Sequence, residues 1–243
     1  MRYFLRLAYC GTPFHGWQIQ PHDVSVQETL EKALSTALRT PIALTGAGRT
    51  DTGVHAATMI AHFDVEQPIA DAHKFLRQIN AMVGYDIAVQ GICPVHDDAH
   101  ARFDAVSRTY KYYLHTEKNP FLGQVSWHCH YALNFEQMNL AAQQLLQYKD
   151  FTSFSKLHTD VKTNNCRIMQ ARWDALGPTD WVFTIQADRF LRNMVRAVVG
   201  TLVEVGRGRI GIDEFKRIVA SGSRQRAGES MPGKALFLWD ITY

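Results

Sequence analysis

Arg2-Tyr3-Phe4-Leu5-Arg6-Leu7-Ala8-Tyr9 and, further on, Ser25-Val26-Gln27-Glu28-Thr29-Leu30 set the first strand–helix step of this chain. Tyr3, Leu5, Leu7 and Tyr9 recur at every second position, which places them on one face of a strand. Ser25 to Glu28 has the capping-box pattern, and Leu30, Ala33, Leu34, Ala37 and Leu38 follow at helical spacing until Pro41. Outward from this pair, short strands are predicted near 42–45 and 57–64. A helix from about Asp71 turns Phe75, Leu76, Ile79, Met82 and Val83 inward, and a strand near 86–93 follows.

Strand, helix, strand, strand, helix, strand is a split βαβ unit, and the order recurs. A strand at 107–116 precedes a helix near 134–147, strands near 165–175 and 181–187, helices near 189–205 and 211–221, and a last strand at 235–242. The prediction is an α+β protein of two halves, 1–106 and 107–243. Each is ferredoxin-like, and both share one mixed, mainly antiparallel sheet with a central cleft.

Composition narrows the function. At 243 residues and 46% hydrophobic, the chain can bury two small cores without disulfides or metals. It has no apolar run of about 18 residues that could span a membrane. The opening residues lack the apolar stretch of a signal peptide, so a cytoplasmic protein is predicted. Cys10, Cys93, Cys129 and Cys166 form no CxxC pair and suit free thiols in a reducing compartment. In His128-Cys129-His130, neighbours on a strand point to opposite faces, so the three do not converge on a metal.

The net charge of +3 is modest, but it is unevenly spread. Residues 1–106 hold 8 Lys/Arg against 11 Asp/Glu, whereas 107–243 hold 18 against 12. Between 189 and 226 lie nine basic residues, all but Lys216 arginine, and three acidic ones. Guanidinium groups grip phosphate oxygens in pairs, so this stretch points to a polyanionic partner.

Three motifs carry candidate chemistry. Gly48-Arg49-Thr50-Asp51-Thr52-Gly53-Val54-His55-Ala56 holds a carboxylate beside an arginine in a glycine-rich loop, a pattern that a plain turn with a capping aspartate shares. The flanking glycines argue against a helix that would align Asp51 and His55 as metal ligands, and no Lys-Ser/Thr follows to make a phosphate loop. In Ser107-Arg108-Thr109-Tyr110-Lys111-Tyr112-Tyr113-Leu114, strand geometry puts Arg108, Tyr110 and Tyr112 on one face, which suits phosphate contact plus base stacking. In Arg189-Phe190-Leu191-Arg192-Asn193-Met194-Val195-Arg196, helical spacing aligns Arg189, Arg192 and Arg196 beside an apolar stripe of Phe190, Met194 and Val198. A guanidinium bordering a buried stripe wants a carboxylate. On residues alone, an enzyme built on Asp51, a catalytically silent RNA-binding module and a metal-dependent hydrolase all stay open.

Together these stretches resemble the motifs of the tRNA pseudouridine synthase A family. Tyr9–Gln18 (YCGTPFHGWQ), Asp150–Ser155 (DFTSFS) and Val203–Gly208 (VEVGRG) extend the resemblance, in the family's order, over nearly the whole chain. The resemblance implies that Asp51 is the essential aspartate, that Tyr110 packs against the target base, and that Arg196 ion-pairs with that aspartate. Arg49, Arg108 and Arg192 are then candidate substrate-binding residues. It further implies a homodimer acting on tRNA uridines 38, 39 and 40 of the anticodon stem-loop. The reaction is redox-neutral, so neither metal nor cofactor is expected. A carboxylate could attack C1′, attack C6 or abstract a proton, and each role needs it ionised and aimed. Thr52 replaces a usual alanine, and Ser230-Met231-Pro232-Gly233-Lys234-Ala235-Leu236-Phe237-Leu238 diverges from the family's version.

Overall fold

A computed structural model describes residues 1–156 and 163–243. Among them run β1 (Arg2–Tyr9), α1 (Val26–Leu38), β2 (Thr45–Gly46), β3 (His55–Asp64), α2 (Ala72–Met82), β4 (Ile87–Val95) and β5 (Ser107–His115). Then follow β6 (Trp127–His128), α3 (Phe135–Gln144), β7 (Ile168–Ala175), β8 (Asp180–Ala187), α4 (Met194–Gly206), α5 (Ile212–Ala220) and β9 (Leu236–Thr242). The described strands belong to one mixed sheet. The chain divides into two compact units, Met1–Val106 with Leu238–Tyr243, and Ser107–Phe237. No helix among the described residues is long and apolar enough to cross a membrane.

In the first unit β1 is central, antiparallel to both β3 and β4. Its alternation is realised: Tyr3, Leu5, Leu7 and Tyr9 are buried, while Arg6 between them is exposed. Leu5, Leu7, Leu30 and Leu34 are fully enclosed, each stabilising the fold by roughly 1.5–3 kcal/mol. At the start of α1, Ser25 accepts from Glu28 N at 3.2 Å. The Glu28 carboxylate turns instead to Lys32, one helical turn on. The predicted strand near 42–45 shrinks to Thr45–Gly46, because only these two residues find ladder partners, His62 and Ala61 of β3.

In the second unit β8 lies between β5 and β7, antiparallel to both, and β6 runs parallel to β5. Eleven of the thirteen residues of α4 are buried. A helix apolar nearly all round has no solvent face to offer, so it forms the centre of its unit.

Candidate active site

Asp51 is half-exposed in the loop between β2 and β3, with Thr50 buried before it and His55 buried at the start of β3. Two backbone bonds pin this loop to the segment after β1. Trp17 N donates to Thr50 O at 3.2 Å, and Gly53 N donates to Phe14 O at 3.3 Å. Val54 N closes the turn onto Asp51 O at 3.1 Å. Beneath it the hydroxyls of Tyr9 and Thr50 share a buried bond of 2.8 Å. Gly16 lets the two segments meet: its φ is +91°, and a Cβ there would stand 2.5 Å from Thr50 O. The YCGTPFHGWQ stretch is therefore the floor of the aspartate loop. His55 belongs to that floor too, since its Nδ1 accepts from Gly11 N at 3.1 Å. Arg49 is exposed on the same loop.

Tyr110 stands half-exposed on β5, opposite Ile185 of β8. Its ring meets Phe190 edge to face, with centroids 5.0 Å apart and planes at 84°. Arg108, two residues before it, donates from Nη1 to Asp188 O at 2.8 Å. The Asp188 carboxylate in turn accepts from the backbone N–H groups of Arg167 and Arg189. Arg108 thus braces the turn that presents Phe190 to Tyr110. Tyr112 differs from Tyr110 in burial: it is fully enclosed, and its phenol has no hydrogen-bond partner among the described residues. Burial holds that phenol far above the usual tyrosine range, so it stays protonated.

The helix predicted from about 189 begins at Met194. Asn193 at its N-cap adopts φ +66°, the left-handed region that asparagine tolerates better than most residues, and the backbone cannot continue helically through it. Arg189 and Arg192 therefore precede α4 and form no row with Arg196. Arg192 is exposed, its carbonyl accepting from Lys156 N at 3.2 Å. On α4 itself only Arg196 and Glu204 escape burial. Glu204 pairs with Arg207 at 3.1 Å and Arg209 at 3.2 Å. Arg196 donates from Nε to Met231 O at 2.5 Å. Further along the basic stretch, Arg217 and Arg226 both pair with Glu214. The Arg217 and Arg226 pairs, on exposed side chains, contribute about 1 kcal/mol or less.

Two contacts made by these residues were not visible in the sequence. Phe190 resembled one more apolar position of a helical stripe, and nothing local marked Met231 as a partner of Arg196.

Residues 7–104 and 141–243 match the family model described as tRNA pseudouridine synthase. The tRNA pseudouridine synthase A of Bacteroides fragilis is 57% identical over 242 residues, covering 100% of this chain and 96% of the relative. The chain belongs to the tRNA pseudouridine synthase family. Family members named tRNA pseudouridine synthase A from Porphyromonas gingivalis and Bacillus subtilis are 54% and 38% identical, each over 100% of this chain and over 97% and 99% of their own length. In this synthase, Asp51 and Arg49 lie in the first unit, and Tyr110, Arg108, Arg192 and Arg196 in the second. The matched family segments contain Asp51 and Arg196, while Tyr110 falls between them.

Proposed function

We propose that this chain isomerises uridine to pseudouridine in tRNA, at positions 38, 39 and 40 of the anticodon stem-loop. In that reaction the N1–C1′ bond breaks and a C5–C1′ bond forms. The proton on C5 is lost to solvent, and N1 gains one. Nothing is oxidised, and no group leaves the nucleotide. Asp51 carries the step at the reacting nucleoside, and Arg196 is the cation that pairs with its carboxylate and aims it. Tyr110 packs against the extruded base, and stacking there offsets part of the few kcal/mol, roughly, that unstacking costs. Arg49, Arg108 and Arg192 bind the substrate through its backbone phosphates.

The observation that carries this reading is the Asp51 loop. A half-exposed carboxylate sits on backbone locked from below by Phe14, Trp17 and the Tyr9–Thr50 bond. These bonds fix the backbone on which the carboxylate stands, so its position does not depend on its own side-chain contacts. The test is a pre-folded tRNA stem-loop carrying 5-tritiated uridine, incubated with the chain in excess chelator. Tritium should pass to water, and mapping should place pseudouridine at 38, 39 or 40. RNA binding without release would favour a silent binding module, and release restored only by added zinc would favour a hydrolase-like metal site.

The working form is a cytoplasmic homodimer in which one tRNA touches both subunits. A tRNA is long compared with a 27.6 kDa chain, and the basic excess is concentrated in residues 107–243. Two such surfaces lengthen the track open to the phosphate backbone. Sedimentation that shows a fully active monomer at working concentration would contradict this.

A further inference from the structure

Arg224 lies within the basic stretch, yet its guanidinium faces the protein. Nη1 donates to Gly228 O at 3.0 Å and to Ala227 O at 3.4 Å, and Nη2 donates to Ser230 Oγ at 2.8 Å. Ser230 Oγ also accepts from Asn193 Nδ2, at the N-cap of α4. The strap so held lies against α4. Gly228 N donates to Thr201 Oγ1 at 2.9 Å. At Gly200 a Cβ would stand only 1.8 Å from Glu229 O, so backbone meets backbone there. The strap ends at Met231, whose N–H donates to Arg196 O and whose carbonyl takes the Nε–H of Arg196.

We propose that Arg224 is a positioning residue of the isomerase: through Ser230 and the 227–231 strap it fixes the Met231 carbonyl, and that carbonyl fixes the guanidinium plane of Arg196. Holding Nε–H fixes the fork's orientation while leaving its other N–H groups for further partners. Arginine is needed at 224 because one planar fork must reach two carbonyls and a hydroxyl together. A lysine ammonium keeps the charge without that geometry. The inference rests on the role given above to Arg196. It also explains how a strap whose last two residues, Ser230 and Met231, diverge from the family can still serve the site: the contacts of Gly228, Glu229 and Met231 to α4 are made by their backbone atoms.

The test compares wild type, Arg224→Met, Arg224→Lys, Ser230→Ala, Arg196→Met and the Arg196→Met/Arg224→Met double variant on one tRNA transcript. Single-turnover rate, filter-binding affinity across a salt series and melting temperature are measured on each. Both Arg224 variants should lose about 10- to 100-fold in rate, as small misplacements of a working group do. Affinity should stay within about twofold with an unchanged salt slope, unlike a phosphate contact. Ser230→Ala should shift the rate in the same direction by less, and it keeps the proposal testable if an Arg224 variant does not fold. The double variant should be no slower than Arg196→Met alone, because both act through one group. Wild-type rates in the folded Arg224 and Ser230 variants would overturn the proposal. So would weaker binding with a salt slope smaller by about one, which would make Arg224 a phosphate ligand. Full activity of Arg196→Met would instead refute the role of Arg196 itself.

Discussion

Arg196 and Met231 bond each other twice: Met231 O accepts from Arg196 Nε at 2.5 Å, and Met231 N donates to Arg196 O at 3.2 Å. The arginine at the solvent edge of an otherwise buried helix is thus oriented by main chain rather than left to sample rotamers. A surface arginine serving only phosphate would gain nothing from this, since phosphates tolerate many approach angles.

Arg196→Met should therefore damage turnover more than binding. A lone phosphate contact would lower affinity and reduce the salt slope by about one. A group that orients the reacting carboxylate should leave affinity nearly unchanged while the single-turnover rate falls by about 100-fold or more. Arg196→Lys should not rescue, for want of the planar fork. A wild-type rate with sharply weaker binding would remove Arg196 from the catalytic set.

Tyr110 and Phe190 meet edge to face at 5.0 Å, so the tyrosine ring is held from one side by an aromatic edge. Tyr110→Phe keeps the ring and should retain most turnover, while Tyr110→Ala should lose the roughly 1–3 kcal/mol of base stacking, about 5- to 150-fold in rate. Phe190→Ala should fall between them without a change in salt dependence. Equal losses in the Phe and Ala variants at 110 would mean that the hydroxyl, not the ring, carries the role.

How much of this was legible beforehand depends on how local the cause is. The β1 alternation and the α1 stripe are local patterns, and both elements stand where periodicity put them. The GRTDTGVHA loop was legible as a motif, but its floor was not. Tyr9–Thr50 and Phe14–Gly53 join residues about 40 apart, and no spacing reveals such a bond. The start of α4 was misplaced because Arg189, Arg192 and Arg196 fit a 3.6-residue repeat, and periodicity does not register that Asn193 takes φ +66°. Charge counts over the basic run do not show that Glu204 and Glu214 each bind two arginines, or that Arg224 turns inward.

Acid should destabilise the fold through buried histidines. His62 is buried, and its Nδ1 accepts from Ala101 N at 3.1 Å, which requires that nitrogen to be unprotonated. Burial first, then Arg2 and His100, hold its pKa below the ordinary histidine value, with Asp64 and Asp104 opposing more weakly. The unfolded chain takes up this proton below about pH 6.5, before the folded chain does. The unfolded state binds more protons in that window, so stability present above it is lost as pH falls. His115, also shifted down by burial and then by His128, acts in the same sense. The Tm should be flat between pH 8 and 7 and decline from about 6.5 to 5. His62→Asn, which offers an acceptor that does not titrate, should decline less. An identical decline in the variant would shift the effect elsewhere.

Asp51 decides the account. It is one negative charge in a site that must receive a polyanion, so removing it should not weaken phosphate attraction. Its loop is held by backbone atoms of Phe14, Trp17 and Val54, so truncating the side chain should cost only on the order of 1–3 kcal/mol of stability. The other two central motifs, 107–114 and 189–196, hold no carboxylate to replace it. The direct measurement is therefore pseudouridine formation by Asp51→Ala, with Tm and tRNA affinity taken on the same preparation. The predicted result is a folded protein that binds tRNA at least as tightly as wild type and makes no pseudouridine. A folded Asp51→Ala protein that forms pseudouridine near the wild-type rate would contradict the assignment.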